Sequence, residues 1–213
     1  MPKLRVPLRS PGTLPAQDGT FMTVDLESYG NRTHDQHIVA RLIFESDPVF
    51  NTLVYGKDPV AVIEGMLRLG NNYFDTRNTR CAIHDGRVVG VIVGFPVSEK
   101  NEIDQKSGKD FARAMGFFRF VSRMPLFVRM DKMMPAVDDD HGYYIHTISV
   151  DPDFRRRGFG SEMIEMVAAE QGSLYLHVNR DNEAAIRFYE RNGFKRLAEG
   201  TMIHRGHELS QLL

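Results

Sequence analysis

Between Ser149 and Ser161 the chain reads SVDPDFRRRGFGS: three consecutive arginines closed by two glycines, in the spacing Arg155-x-x-Gly158-x-Gly160. Such a turn suits an anion. Glycine has no Cβ, so a ligand can approach its backbone closely. Phe159, Met163, Ile164, Met166 and Val167 recur at helical spacing immediately afterwards. The first turn of that helix presents unpaired N–H groups and the positive end of its dipole. Together these features make a cradle for a pyrophosphate; the glycines alone leave a plain structural turn as the alternative. Ahead of the turn, Tyr143 to Val150 is rich in Val, Ile, Tyr and Thr and reads as a strand. Asp151-Pro152 ends it, because proline lacks an N–H and biases its predecessor to extended geometry.

A second strand, Ser173 to Asn179 (SLYLHVN), follows, and then a helical pattern from Asp181 to Phe194. Three motifs now stand in order: V-D-P-x-x-R-R-x-G-x-G, L-x-L-H-V-N, and N-x-x-A-I-x-F-Y-x-x-x-G-F. In this ordered set, about a quarter of the chain resembles the GNAT superfamily of acetyl-CoA-dependent N-acetyltransferases, nearest in motif to its N-terminal-amine acetyltransferase branch.

The resemblance implies an α/β (α+β) fold: a mixed, largely antiparallel central sheet flanked by helices, splayed between the strands near 143–150 and 173–179. It implies acetyl-CoA as cosubstrate and no metal. The N–H groups of Arg156, Arg157, Gly158, Phe159, Gly160 and Ser161 would hold the pyrophosphate, with Arg155 at the motif's first position. Main-chain groups of Ile148, Ser149 and Val150 would bind the pantetheine arm and polarise the acetyl carbonyl. Tyr189 falls at the family's general-acid position, bonded to the coenzyme sulfur; Asn182 is the helix-opening asparagine. His177 lies where the branch places a Glu or His base, and Tyr144 matches a tyrosine paired with that base across an ordered water. His146 is the second candidate base.

Read without the family, these residues have plainer roles. Tyr189 is then an amphipathic core residue, and Asn182 an N-cap. Strand alternation puts His177 on the face shared with Tyr175 and Asn179. A histidine near its free pKa takes a proton at neutral pH without tuning. An α-amine with pKa ~8 costs about 1.4 kcal/mol to deprotonate at pH 7, whereas a lysine at ~10.4 costs nearly 5. A modest base therefore suits an α-amine, or a small amine of lowered pKa, and the acceptor is expected to be a small-molecule amine or a peptide amine. Against a peptide, Thr201 to His207 lacks the paired tyrosines with which the branch lines its peptide groove.

Length and composition bound the rest. A chain of 213 residues reads as one acetyltransferase domain, long enough to bury about 70% of its unfolded surface. A formal net charge of −1 argues against nucleic acid as a partner. Cys81 is the single cysteine; it cannot form an internal disulfide, sits in an apolar run as a small buried side chain, and fits a reducing, cytoplasmic setting. No apolar run approaches ~18 residues, so no membrane span is expected.

Residues 1–20, with four prolines, read as a mobile arm or a loosely docked edge segment. Phe21 to Glu27 alternates as a first strand. One amphipathic helix is expected from Asp35 towards Phe50, ended before Pro48, and a second from Asp58-Pro59 to Leu69. Thr79–His84 and Arg87–Phe95 form a hairpin through Asp85-Gly86, with Gly90 and Gly94 marking bulges or close packing. Residues 97–140 read as a variable insertion, one helix with the stripe Phe111, Met115, Phe118, Val121 plus a long loop. A pocket wall or homodimer contact is its functional reading. Asp138-Asp139-Asp140 reads as solvated loop. Lys195–Leu197 and Met202–Leu209 are the last strands, with a turn at Gly200-Thr201. The rival to an enzyme is an acyl-CoA-binding sensor that engages a protein through 97–140. A nicotinamide-binding fold is distant, since the three-glycine fingerprint is missing.

Overall fold

The computed structural model of the chain describes residues 23–204 and 207–213. Five strands, β1 (Asp25–Ser28), β2 (Thr79–His84), β3 (Arg87–Pro96), β4 (Tyr143–Val150) and β5 (Leu174–Leu176), pair in that order, antiparallel except for the parallel β4–β5 pair. A second sheet has the order β6 (Val178–Asn179), β8 (His207–Leu212), β7 (Glu199–His204). Helices α1 (Gln36–Glu45), α2 (Pro48–Tyr55), α3 (Pro59–Leu69), α4 (Lys100–Met115), α5 (Phe117–Met133), α6 (Phe159–Gln171) and α7 (Glu183–Arg191) flank the sheets. This is the mixed, largely antiparallel α/β architecture expected.

Local chemistry explains most boundaries. Asp85 and Gly86 both have positive φ (49° and 70°), the requirement of the tight turn that matches strand twist. Asp35, Asp47 and Asp58 cap α1, α2 and α3 through their carboxylates, and proline opens α2 and α3. The single helix expected from Asp35 is therefore two: α1 stops at Glu45, and Asp47-Pro48 starts a new helix instead of only ending the old one. Both strand glycines sit beside register shifts. A Cβ at Gly90 would lie 2.9 Å from the Ser149 carbonyl oxygen, and one at Gly94 would strike the Tyr143 ring.

The core has two sides. Val39, Leu42, Ile43, Ile63 and Met66 of α1 and α3 pack on one face of the sheet with Cys81 and Val91. Phe159, Met163 and Val167 of α6 pack on the other with Ala82, Ile92 and Ile145. Burial pushes the Cys81 thiol up to about 12, so it is an inert core residue.

Residues 97–140 hold two helices, not one helix and a loop. Gly116 (φ 91°) separates them, which splits the expected stripe: Met115 is buried, whereas Phe118 and Val121 face solvent. Lys195–Leu197 is not a strand, although the Leu197 N–H donates to the Leu213 carbonyl at 2.7 Å. Gly200 and Thr201 lie inside β7 rather than in a turn, and the β7–β8 ladder reaches His204↔His207. Gly200 abuts the Met133 carbonyl, where a Cβ would collide. Asp139 accepts the Tyr175 hydroxyl proton at 2.9 Å, so the acidic run is partly anchored. The expected N-terminal arm, and residues 21–22 of the first expected strand, lie outside the described residues. No helix among the described residues is long and apolar enough to cross a membrane.

Asp110 of α4 fastens the insertion to the domain. It is 1% exposed, and one carboxylate oxygen accepts the Asn71 N–H at 3.1 Å and the Asn72 side-chain amide at 2.9 Å. Ser107, one turn earlier, accepts the Tyr73 N–H at 2.9 Å. Asp110→Ala strands those donors and is expected to cost roughly 3 kcal/mol in urea unfolding; a loss below ~1 kcal/mol would show that the 71–73 turn holds without it.

Candidate active site

Strands β4 and β5 pair at three positions only: Tyr143↔Leu174, Tyr144↔Tyr175 and Ile145↔Leu176. After Leu176 the chain bends away at His177, and β6 pairs with β8 instead. Beyond Ile145 the edge of β4 therefore carries no strand partner on this side among the described residues. The gap is a cavity of about 120 Å³ bounded by β4, residues 176–179, the start of α2, α7 and Met134.

The phase of the β4 ladder decides which main-chain groups face the gap. Asp151 donates its N–H to the Val89 carbonyl at 2.8 Å. Hydrogen-bonded pairs alternate along an antiparallel ladder, so Ser149 and Thr147 turn their backbone to β3, while Ile148 and Val150 turn theirs to the gap. Of the expected trio, Ser149 is thus directed the wrong way for a main-chain ligand contact. The Val150 carbonyl accepts from Arg155 Nε at 2.8 Å, leaving the Val150 N–H and both Ile148 groups open.

The arginine turn follows directly. Arg156 (φ 63°) and Gly158 (φ 93°) take left-handed backbone conformations, and Gly158 caps α6 with no side-chain bond. Among the described residues, the N–H groups of Arg156, Arg157, Gly158, Phe159 and Gly160 donate to no protein acceptor; the Ser161 N–H donates to the Gly158 carbonyl at 3.0 Å. Successive unpaired amides at a helix start form an oxyanion site. The arginine side chains do not act as a trio there. Arg155 also reaches Glu45 at 3.4 Å, and Arg157 bonds the Asp153 carbonyl at 2.9 Å and lies over the Phe154 ring. Among the described residues, only Arg156 of the three makes no such contact. Gly160 leaves room for Phe188, whose ring would lie 3.1 Å from a Cβ there.

The two histidines sit on opposite sides of the divergence. His177 Nε2 lies 3.0 Å from the Pro135 carbonyl, and Nδ1 lies 2.8 Å from the Tyr144 hydroxyl. A carbonyl only accepts, so Nε2 carries the proton and Nδ1 accepts from Tyr144. The Tyr144–His177 pairing expected across a water is thus a direct hydrogen bond. Burial holds His177 below its ordinary value. His146 falls in the β4 bulge, opposite no residue of β3. It stacks on Tyr73 with centroids 4.5 Å apart, and its Nδ1 is 3.0 Å from the Thr147 hydroxyl. Burial pushes it down to about 4.

Asn182 caps α7 by accepting the Ala185 N–H at 3.1 Å, and α7 places Tyr189 in the cavity wall. The Tyr189 hydroxyl has no hydrogen-bond partner among the described residues, and burial raises its pKa, so it stays protonated at neutral pH. Tyr189 also borders an apolar cavity of about 320 Å³ between α6 and α7. Two participants were not foreseen from the sequence, Pro135 and Asp47. The signal for Asp47 was present, since Asp47-Pro48 repeats the helix-opening pattern of Asp58-Pro59.

Residues 41–194 match the model of the acetyltransferase (GNAT) family. The chain belongs to that family. It is 40% identical over 57 residues to N-alpha-acetyltransferase RimI of Mycobacterium tuberculosis, covering 26% of this chain and 36% of that protein. It is 35% identical over 78 residues to peptidyl-lysine N-acetyltransferase YjaB of Escherichia coli, covering 36% and 53% respectively. In both curated relatives the aligned part is well under two thirds of their length. The fold is similar to a crystal structure of an N-acetyltransferase from Staphylococcus aureus Mu50, with a TM-score of 0.60 and 16% identity over 88% of this chain and 98% of that one.

The lowered pKa of His146 predicts an acid sensitivity. The folded-state pKa of His146 lies below the unfolded one, so stability is complete above about pH 6.5 and falls as pH drops towards about 4. The loss over that window is up to about 3 kcal/mol. His146→Phe keeps the stacking on Tyr73 and removes the titration. Its urea midpoint is expected to fall less than wild type between pH 7 and 4; equal falls would place the sensitivity elsewhere.

Proposed function

We propose that this chain is an acyl-CoA-dependent N-acyltransferase that moves acetyl from acetyl-CoA to a primary amine by direct attack. One coincidence supports the reading: the unpaired edge of β4 at Ile148 and a protonated, unpartnered tyrosine line a single cavity, and a row of uncapped amides follows at the end of that same strand. Acetyl-CoA would supply a thioester, an acyl group already activated towards an amine. The amides of 156–160 fit its diphosphate. The Val150 N–H and the Ile148 main-chain groups fit the amides of its pantetheine arm.

Direct transfer needs the amine to lose a proton and the sulfur to leave as a thiol. Tyr189 gives its phenolic proton to the departing sulfur, and its desolvated, neutral state at pH 7 suits a donor rather than a base. The amine enters the bond-forming step uncharged. Reaching that state at pH 7 costs about 1.4 kcal/mol for an α-amine and nearly 5 for a lysine, which favours an acceptor of lowered pKa. After attack, the nitrogen sheds a second proton. Tyr144 takes it on oxygen while passing its own to His177 Nδ1, and the Nε2–H bond to Pro135 holds the ring in the receiving orientation. His177 thus acts through Tyr144. His146, held near 4, is too weak a base for this and serves as packing on Tyr73.

The acceptor is a small amine, or the amine end of a peptide. Its reacting end would enter the cleft of about 120 Å³ beside Tyr189.

Tyr189→Phe removes the acid and keeps the ring. It is expected to lower kcat about 100-fold while leaving acetyl-CoA affinity by calorimetry within a factor of two or so; unchanged kcat would remove the role. Gly158→Asp forces a side chain onto a left-handed residue and sets a carboxylate beside the amides. Acetyl-CoA affinity is expected to drop at least about 100-fold, with the fold checked by circular dichroism; unaltered affinity would place the diphosphate elsewhere.

A further inference from the structure

Asp47 is the only carboxylate among the described residues that line the cleft. One oxygen, Oδ1, accepts the Phe50 N–H at 2.9 Å and caps α2, which fixes the side chain in orientation. The Val49 N–H also bonds the carboxylate, and neither oxygen has an ion-pair partner among the described residues. Glu45, Asp151 and Asp104, by contrast, each have a cation partner. Arg41 holds Glu45 at 2.9 Å and Asp151 at 2.6 Å, Arg155 reaches Glu45 at 3.4 Å, and Lys100 holds Asp104 at 2.6 Å. The cleft offers Asp47 no such partner. Its other titratable residues are Tyr144, His146, His177 and Tyr189, and burial keeps all four uncharged at neutral pH.

Among the described residues that line the cleft, Asp47 is therefore the one charged group, and it has no ion-pair partner there. A partly desolvated carboxylate without a counter-ion is unfavourable, and a bound cation relieves that cost. Burial already lifts the Asp47 carboxyl above its usual range, as expected for a charge awaiting a partner. Tyr189 registers the same charge, which adds to its raised pKa.

We propose that the Asp47 carboxylate, which has no counter-ion, is an alkylammonium subsite: it receives the acceptor amine in its charged form in the cleft. The inference rests on the amine-transfer reading and adds a recognition element to it. It selects amines that are cationic at pH 7, which an α-amine of pKa ~8 still is, over aromatic amines, which are neutral there. Asp47 is a binding residue that acts before the amine is deprotonated.

Asp47→Asn tests this cleanly, because asparagine caps a helix as well as aspartate does; only the charge is lost. The first measurement needs no turnover. Butylamine is titrated into the protein at pH 7 while the Phe50 amide, which donates to Asp47, is followed by NMR. Wild type is expected to show a saturable shift that Asp47→Asn abolishes; the same shift in both, or none in wild type, overturns the subsite. In steady-state assays, Asp47→Asn is expected to raise KM for butylamine by about 30-fold or more, to leave KM for aniline unchanged, and to leave acetyl-CoA affinity intact. An equal effect on the two amines overturns the subsite alone. Absence of transfer to either amine by wild type, with butylamine still bound at Asp47, would instead count against the transferase reading and leave the subsite standing.

Discussion

Every backbone N–H and C=O removed from water needs a partner, and the parting of β4 from β5 is where this chain leaves some of them without one. Ile145↔Leu176 is the last rung. The next residue, His177, is held sideways by Tyr144 and Pro135, and β8 then captures Val178 and Asn179. The departing strand is thereby fully paired elsewhere, so nothing draws the gap closed. What remains open is the β4 edge at Ile148 and Val150, continuous with the uncapped amides of the arginine turn. If β5 continued along β4, neither the cavity nor its chemistry would exist.

The insertion between β3 and β4 frames this opening from two directions. On one side α4 supplies Asp104, which accepts the Tyr73 hydroxyl proton at 2.6 Å; Tyr73 in turn stacks on His146. On the other, the segment after α5 brings the Pro135 carbonyl to His177 and sets Met134 in the cavity wall. Gly200 lets β7 close over that segment. Both histidines thus take their orientation from residues the rest of the family motif does not contain.

Much of this was legible in the sequence because it is written in short-range chemistry. Asp85-Gly86, Asp151-Pro152, the paired glycines after Arg157 and the Asp58-Pro59 cap each fix backbone geometry through the residues themselves. Asp47-Pro48 carried the same signal but follows an apolar helix without a break in pattern, so its helix-opening role was hidden. Gly116 likewise divides an apolar stripe that looks continuous on paper. Other features depend on long-range partners that no local pattern encodes. The inward turn of Ser149 follows from the phase of the β3 ladder. Arg155 is tied back by Val150 and Glu45, 5 and 110 positions away. Both nitrogens of His177 are already spoken for, one of them by a residue 42 positions upstream.

The central claim is that the amides of residues 156–160, together with the open edge at Ile148 and Val150, receive the coenzyme. Titrating acetyl-CoA into isotopically labelled protein and following the backbone amides by NMR tests it most directly. The account predicts that the largest shifts fall on Arg156 to Gly160, with Ile148 and Val150 moving in the same saturation curve. Saturable binding that leaves those amides unmoved, and shifts another part of the surface, would contradict it.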